Sequence, residues 1–270
     1  MSHKYNVSII SAAIRKENWM KFYLGMSQAI GKYSFEWIIA GPTEPEQELL
    51  DKPNVKYVKC YGHPSRCTQM SSLIAEGELI YWVCDDGVFI EDGLELAIKL
   101  WYESGSKKTQ VVMKYLEGDH PNMPDMTTSG LGYWHAWFHD SLKRESIPKH
   151  YMTAANGMMS LDYFRELGGF DCRFEHVNMN SHDLSFRIQH DGGNLVLAPK
   201  HIVWQTWSSE AGGIIVDAYF ENDQPLFDSI YQDDNILETR KILDCNNWMY
   251  NSDPVWSRRF DNPNMKVKPT

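Results

Sequence analysis

The 270 residues are 43% hydrophobic and 13% aromatic, which excludes a largely disordered chain and supplies one large core or two modest ones. A formal net charge of -10 excludes a broad basic face that grips a phosphate backbone, because that affinity comes from clustered Lys and Arg. No run of about 18 apolar residues occurs, and Ser2, His3 and Lys4 precede the first short apolar stretch, so neither a membrane span nor a signal peptide is expected.

Short apolar runs at Tyr5 to Ser11, Phe35 to Ala40, Val55 to Cys60 and Leu79 to Val83 alternate with longer amphipathic stretches at 16–30, 44–51 and 64–76. This alternation predicts strands and helices in turn, the pattern of a parallel sheet covered on both faces. A helix at 91–104 and a strand over Gln110 to Tyr115 follow. The pattern then lapses between Leu116 and His150, a stretch punctuated by Gly118, Pro121, Pro124, Gly130, Gly132 and Pro148. Long irregular segments inside a compact domain are usually functional, so this one is expected to face an acceptor. A second regular block predicts a strand over Thr153 to Ser160, helices at 161–167 and 180–190, and a strand over Asn194 to Leu197. The tail from about 214 is acidic and aromatic, with a helical stretch near 233–243 expected to fold back on the body. Cysteines at 60, 67, 84, 172 and 245 form no Cys-x-x-Cys pair and are odd in number, which fits reduced thiols in a cytoplasmic compartment.

The chemistry concentrates in Ile80-Tyr81-Trp82-Val83-Cys84-Asp85-Asp86-Gly87, where an apolar strand ends in two adjacent carboxylates and a glycine. Adjacent anions raise each other's pKa unless a cation neutralises them. Magnesium or manganese, bound through one or two carboxylates and phosphate oxygens, is a usual neutraliser; a solvated acidic turn is the alternative. In doubly wound sheets ligands bind beyond the carboxyl ends of the strands, which is where Ser11-Ala12-Ala13, Gly41-Pro42 and Asp85-Asp86-Gly87 fall.

Further segments give this turn its context. They are Val7-Ser8-Ile9-Ile10-Ser11-Ala12, Ala75-Glu76-Gly77-Glu78 before the acidic strand, Gly168-Gly169-Phe170-Asp171-x-x-Phe174, Asp183-Leu184-Ser185-Phe186-Arg187, then Gly192-Gly193 and Pro199. In this order and spacing they resemble the family 2 glycosyltransferases of the GT-A fold, over about residues 5 to 206. The resemblance implies an α/β fold with a mixed, mostly parallel sheet and helices on both faces. It divides the chain into a domain over 1–213, with a nucleotide-binding half at 1–116 and an acceptor-binding half at 117–213, and a C-terminal extension at 214–270 packed on it.

The implied activity is metal-dependent transfer of a hexosyl or pentosyl group from a nucleoside-diphosphate sugar to a hydroxyl acceptor, with inversion. The acceptor would be a glycan, a lipid-linked glycan, a protein or a modified nucleobase. By the resemblance Asp86 binds the Mn²⁺ or Mg²⁺ ion and Asp85 touches the ribose or the metal. Ser11, Ala12 and Arg15 after the first strand, with Arg66 and Gln69 before the acidic strand, would line the nucleotide. The family's acidic pair is replaced in Asn178-Met179-Asn180-Ser181-His182-Asp183, so the proton acceptor is sought among Asp183, His182 and Glu175. An Asp at a helix start also caps backbone N–H groups, the bland alternative for Asp183. Asn156 and Gly157 stand where the family lines the acceptor pocket, with a plain turn as the alternative, and Trp134, in the aromatic run from Tyr133 to Phe138, reads as an acceptor wall or as core packing. Gln205 stands near where the family often carries a metal-binding His, with His201 four residues earlier, and His135 and His139 are spaced i, i+4.

Two other readings share the fold. A nucleotidyltransferase usually carries a Gly-rich loop with a basic residue after the first strand, whereas Ser11-Ala12-Ala13-Ile14-Arg15 has no glycine. A non-catalytic sugar-binding protein would explain the absent acidic pair.

Overall fold

The computed structural model describes residues 3–117, 135–136, 152–205 and 219–231. Trp134, His139, Cys245 and the expected helix at 233–243 lie outside the described residues.

Seven strands form the main sheet: β1 (Tyr5–Ala12), β2 (Phe35–Gly41), β3 (Val55–Lys59), β4 (Gly77–Trp82), β6 (Thr109–Val112), β10 (Gly157–Ser160) and β11 (Asn194–Leu197). Their spatial order is β11-β6-β10-β4-β1-β2-β3. All neighbouring pairs are parallel except those of β10, which runs antiparallel between β4 and β6. The sheet is thus of the mixed, mostly parallel α/β type that the resemblance implied, where the strand–helix alternation alone led to a parallel one. β1 and β2 are buried along most of their length because both faces of the sheet are covered.

One face packs on α1 (Trp19–Ala29) and α4 (Gly93–Glu103), through Phe22, Met26, Trp37, Tyr81 and Ile98. The other packs on α5 (Leu161–Glu166) and α6 (Val177–His190), through Ile10, Trp82, Met159, Phe164 and Leu184. The short α2 (Gln47–Leu50) and α3 (Pro64–Leu73) complete the βα connections. A three-stranded sheet of β5 (Gly87–Phe89), β12 (Val203–Gln205) and β7 (Tyr115–Glu117) begins directly after the acidic turn. A two-stranded pair joins β8 (His135–Ala136) to β9 (Met152–Thr153). Among the described residues no helix is long and apolar enough to cross a membrane.

Three expected elements differ. The single strand over 153–160 is two strands, β9 and β10, separated where Trp82 Nε1 donates to the carbonyl of Ala155 (3.1 Å). Ser11 and Ala12 belong to β1 instead of following it. The helix expected to open at 180 begins at Val177, because His176 caps it: its Nδ1 accepts from the backbone N–H of Asn178 (3.0 Å). Asp183 therefore lies inside the helix, and its capping alternative is removed.

A π-helical turn at Tyr219–Asp223 leads into α7 (Gln224–Tyr231). Phe227, Ile230 and Tyr231 of α7 bury against Phe174, Met179 and Phe186, so this helix is a lid on the outer side of α6. Asp223 fixes the junction by accepting from the backbone N–H groups of Glu175 (2.9 Å) and His176 (2.7 Å).

Burial acts oppositely on the two ionisable groups here. It holds His176 neutral, with its pKa lowered to about 4, and pushes the Asp223 carboxyl up to about 7. Between pH 4 and 6.5 the folded pair carries one proton on Asp223, while the unfolded pair carries one on His176, so their pH dependences cancel. Single substitutions expose each half. In Asp223→Asn the remaining His176 makes stability fall as pH drops from 6.5 to 4. In His176→Asn the remaining Asp223 makes stability fall as pH rises from 4 to 7. Each slope approaches about 1.4 kcal/mol per pH unit, and urea midpoints measured across the range read the two signs.

Candidate active site

Because β1 and β4 are parallel neighbours, their carboxyl ends lie on one edge of the sheet. The chain leaving β3 enters α3 at that edge, and α6 starts there because it runs back to feed the parallel strand β11. The turn after β1, the acidic turn after β4 and the first turns of α3 and α6 therefore converge on the edge where open α/β sheets bind ligands.

Asp85 is the hub of this edge. It is fully buried. Its Oδ2 accepts from the backbone N–H groups of Ile14 (2.8 Å) and Arg15 (2.7 Å) and from the indole Nε1 of Trp19 (2.8 Å), while Oδ1 accepts from Arg15 Nη1 (2.5 Å). A carboxylate is buried at acceptable cost only when its lone pairs are satisfied by donors and a counter-charge, and the turn from β1 into α1 supplies both. Asp86, next in sequence, keeps a 12% exposed side chain, and its Oδ2 lies 3.6 Å from Arg15 Nη2. One guanidinium thus bridges two adjacent carboxylates, and their charge holds the Arg15 pKa above its ordinary value against the opposing effect of burial.

Could this turn hold a divalent ion? Asp85 is fully buried and both its oxygens already accept hydrogen bonds, so Asp86 is the more exposed of the two carboxylates. The cation already bridged to Asp86, Arg15, marks the place as one that favours positive charge. Among the described residues no cluster of three or more His, Cys, Asp or Glu could hold a metal by itself. A hard cation that takes one carboxylate, with the rest of its shell from phosphate oxygens and water, fits this donor set.

The other sequence candidates separate into those at the edge and those beneath it. Ser11 lies in the core, where its hydroxyl accepts from Trp37 Nε1 (3.1 Å), while Ala12 at the strand end is partly buried beside Cys60 and Cys67. Gln69 is buried under the Gly-Gly-Phe turn, and its Oε1 accepts from the backbone N–H of Phe170 (2.8 Å). Arg66, third in α3, folds over Gly62, whose missing Cβ gives it room. Ser11 Oγ and Gln69 Oε1 are thus each held by a hydrogen bond within the core.

The Gly168-Gly169 pair has φ of 86° and 73°, so both glycines are required by the backbone. A Cβ on Gly169 would also meet the Gln69 amide. Gly169→Ala should therefore cost about 1–3 kcal/mol, read as a lowered urea midpoint with an unchanged slope.

Asp183 is fully buried in α6, and both its oxygens are engaged. Oδ2 accepts from Arg187 Nε (2.9 Å) and Oδ1 from the hydroxyl of Tyr231 in α7 (2.6 Å). Arg187 in turn donates to the carbonyls of Leu167 (2.7 Å) and Gly169 (2.6 Å), tying α6 to the glycine turn. His182 is partly buried on the same helix. Glu175 is buried just before α6, at the ligand edge, where its carbonyl accepts from the N–H of Ser65 at the start of α3 (3.4 Å).

Asn156 is nearly buried, and its carbonyl accepts from Met113 (3.1 Å). Gly157 sits in β10, where a Cβ would strike Gln110 and Trp82. Gln205, buried in β12, pairs in register with Gly87 directly after the acidic turn, and among the described residues its Nε2 has no hydrogen-bond partner. His201 lies before β12 near Lys114.

Sequence reasoning missed Trp19 as a ligand of Asp85, and Asp223 and Tyr231 as anchors of α6. The first had a signal: an indole N–H at a helix start needs an acceptor when buried, and Asp85 is within the same converging edge.

No protein-family model and no curated protein sequence matches the chain. Its fold is shared with solved structures of S. aureus TarS. Residues 1–349 of TarS superpose with a TM-score of 0.54 at 14% identity, covering 87% of this chain and 71% of that one. The same TarS fragment in complex with UDP gives 0.53 at 14% identity, covering 84% and 69%. In complex with UDP-GlcNAc it gives 0.50 at 15% identity, covering 84% and 70%. At this identity the likeness defines the α/β fold of the chain.

Proposed function

We propose that this protein is a GT-A-type glycosyltransferase, similar to family 2, that moves a sugar from a nucleoside-diphosphate donor to a hydroxyl acceptor. The carrying observation is the turn after β4. A buried Asp85 fixes the loop after β1, and Asp86 and Arg15 are left facing the ligand edge, in a fold shared with structures that hold UDP and UDP-GlcNAc. Asp86 would hold a Mn²⁺ or Mg²⁺ ion, which when bound supplies positive charge against the leaving diphosphate.

The chain's own residues set the rest. Arg15, held by Asp85, orients the first turn toward the diphosphate, and Arg66 at the start of α3 offers a second cation to the same edge. The proton acceptor in this reading is Glu175, because it lies at the ligand end of α6, whereas Asp183 is two turns deeper with both oxygens bound. A carboxylate that removes the acceptor proton contributes about 10²–10⁴-fold, so Glu175→Gln should lose that factor in transfer while keeping donor binding. Unchanged turnover in this variant would remove Glu175 from the reaction.

Donor binding is tested by thermal unfolding with UDP-glucose, UDP-GlcNAc and other nucleotide-sugars, with and without Mn²⁺. A donor at 100 times its Kd should add about 2.7 kcal/mol of stability, and Asp86→Ala should erase the gain. Failure of every nucleotide-sugar to shift the midpoint would overturn the assignment. Binding of a donor without hydrolysis or transfer would instead favour a sugar-binding protein of the same fold.

A further inference from the structure

Arg15 offers more than an orientation. Its side chain is 22% exposed, its Nη1 is bound to Asp85 and its Nη2 lies 3.6 Å from Asp86. Its backbone N–H also donates to Asp85, so the residue is held at two points and its outer edge is aimed at one carboxylate. The planar guanidinium can keep one carboxylate on one nitrogen while the other nitrogen changes partner, which a lysine ammonium cannot do with fixed geometry.

Charge counting gives the consequence. Asp85, Asp86 and Arg15 together carry one net negative charge, and a diphosphate adjacent to them adds at least two more. A divalent ion would add the positive charge this balance lacks, and of the two carboxylates it would take Asp86, because Asp85 is fully buried with Oδ2 accepting three hydrogen bonds and Oδ1 bound by Arg15. The ion and Arg15 Nη2 would then share Asp86. Two positive groups within contact distance of one carboxylate repel each other and compete.

We infer that Arg15 is a tethered counter-cation that holds Asp86 in the absence of donor and exchanges it for the donor's diphosphate when a divalent ion binds, so that metal and nucleotide bind interdependently. This rests on the donor-and-metal reading of the site. In this scheme Arg15 never leaves Asp85. Only Nη2 changes partner, from the Asp86 carboxylate to a phosphate oxygen, which would leave the Asp86 carboxylate to hold the ion.

The test is Mn²⁺ binding followed by electron paramagnetic resonance of the free ion, with and without UDP, on wild type, Arg15→Gln, Arg15→Lys and Asp86→Asn. The backbone donors to Asp85 and the Trp19 indole persist in the Arg15 variants, and circular dichroism confirms that each is folded. Wild type should bind Mn²⁺ weakly alone and at least about tenfold more tightly with UDP. Arg15→Gln should bind Mn²⁺ alone at least about fivefold more tightly than wild type, since a competing cation has gone, and should lose most of the UDP enhancement. Arg15→Lys keeps the charge without the fork and should fall between them. Mn²⁺ affinity in Arg15→Gln that is equal to or weaker than wild type, with binding still lost in Asp86→Asn, would overturn the exchange while leaving the donor site intact. Mn²⁺ binding in the presence of UDP that is unaffected by Asp86→Asn would overturn both.

Discussion

Replacing Asp85 by Ala should lower the unfolding free energy by about 3–5 kcal/mol, whereas Asp86→Ala in the next position should change it by less than about 1 kcal/mol. The contrast follows from burial and partners. Asp85 removal leaves two backbone N–H groups and a buried indole N–H without their acceptor, and takes from Arg15 the nearer of its two carboxylates. Each buried donor left without an acceptor costs about 1–3 kcal/mol. Asp86 removal leaves Arg15 with its closer partner. Urea unfolding of the two variants beside wild type measures the difference, and Asp85→Asn should fall between because its amide oxygen still accepts. Equal, small effects from both alanines would mean that the loop after β1 is held by something other than Asp85. The pair also separates stability from donor binding: Asp86→Ala should lose the metal-dependent donor shift at nearly full stability.

The reason these neighbours differ was only half legible in the sequence. An apolar strand ending in Asp-Asp-Gly places both carboxylates at the ligand edge, and the strand–helix alternation of the first hundred residues gives the parallel sheet that makes it an edge. Which Asp faces inward depends on where the turn from β1 into α1 lies, and that turn is brought in by a pairing 70 residues apart in sequence. Arg15 looked like a nucleotide contact from its place after the first strand, but its bridge to both carboxylates needs three-dimensional proximity. The same limit explains Ser11 and Gln69. Both occupy positions where the resemblance expects ligand contacts, yet Ser11 faces Trp37 across the β1–β2 pair and Gln69 fills the space left by Gly169. A polar side chain one residue further into a strand or helix points to the core, and pattern alone does not fix that register. The antiparallel insertion of β10 between β4 and β6 was likewise invisible, since a four-residue apolar strand has no directional signal of its own.

Asp183→Ala should cost about 3–5 kcal/mol of stability and leave turnover per folded molecule within about threefold of wild type. The alanine leaves Arg187, 2% exposed, as an uncompensated buried charge, and releases the Tyr231 hydroxyl that ties α7 to α6. Two further bonds of Arg187, to the carbonyls of Leu167 and Gly169, would then strain to hold the guanidinium alone, so the glycine turn over Gln69 loosens as well. Tyr231→Phe removes only the neutral half of the network and should cost about 1 kcal/mol. Because the two residues touch, the double variant should be less damaged than the sum of the singles, with a coupling of about 0.5–3 kcal/mol in a double-mutant cycle. The opposite result is equally specific: a loss of transfer beyond 10²-fold in Asp183→Asn, at wild-type urea midpoint and with donor affinity retained, is the signature of a general base. That outcome would require Asp183 to shed Tyr231 during the reaction and would make α7 a part of the catalytic cycle. The stability loss instead fixes Asp183 as the anchor through which the C-terminal helix, α6 and the glycine turn are joined behind the ligand edge.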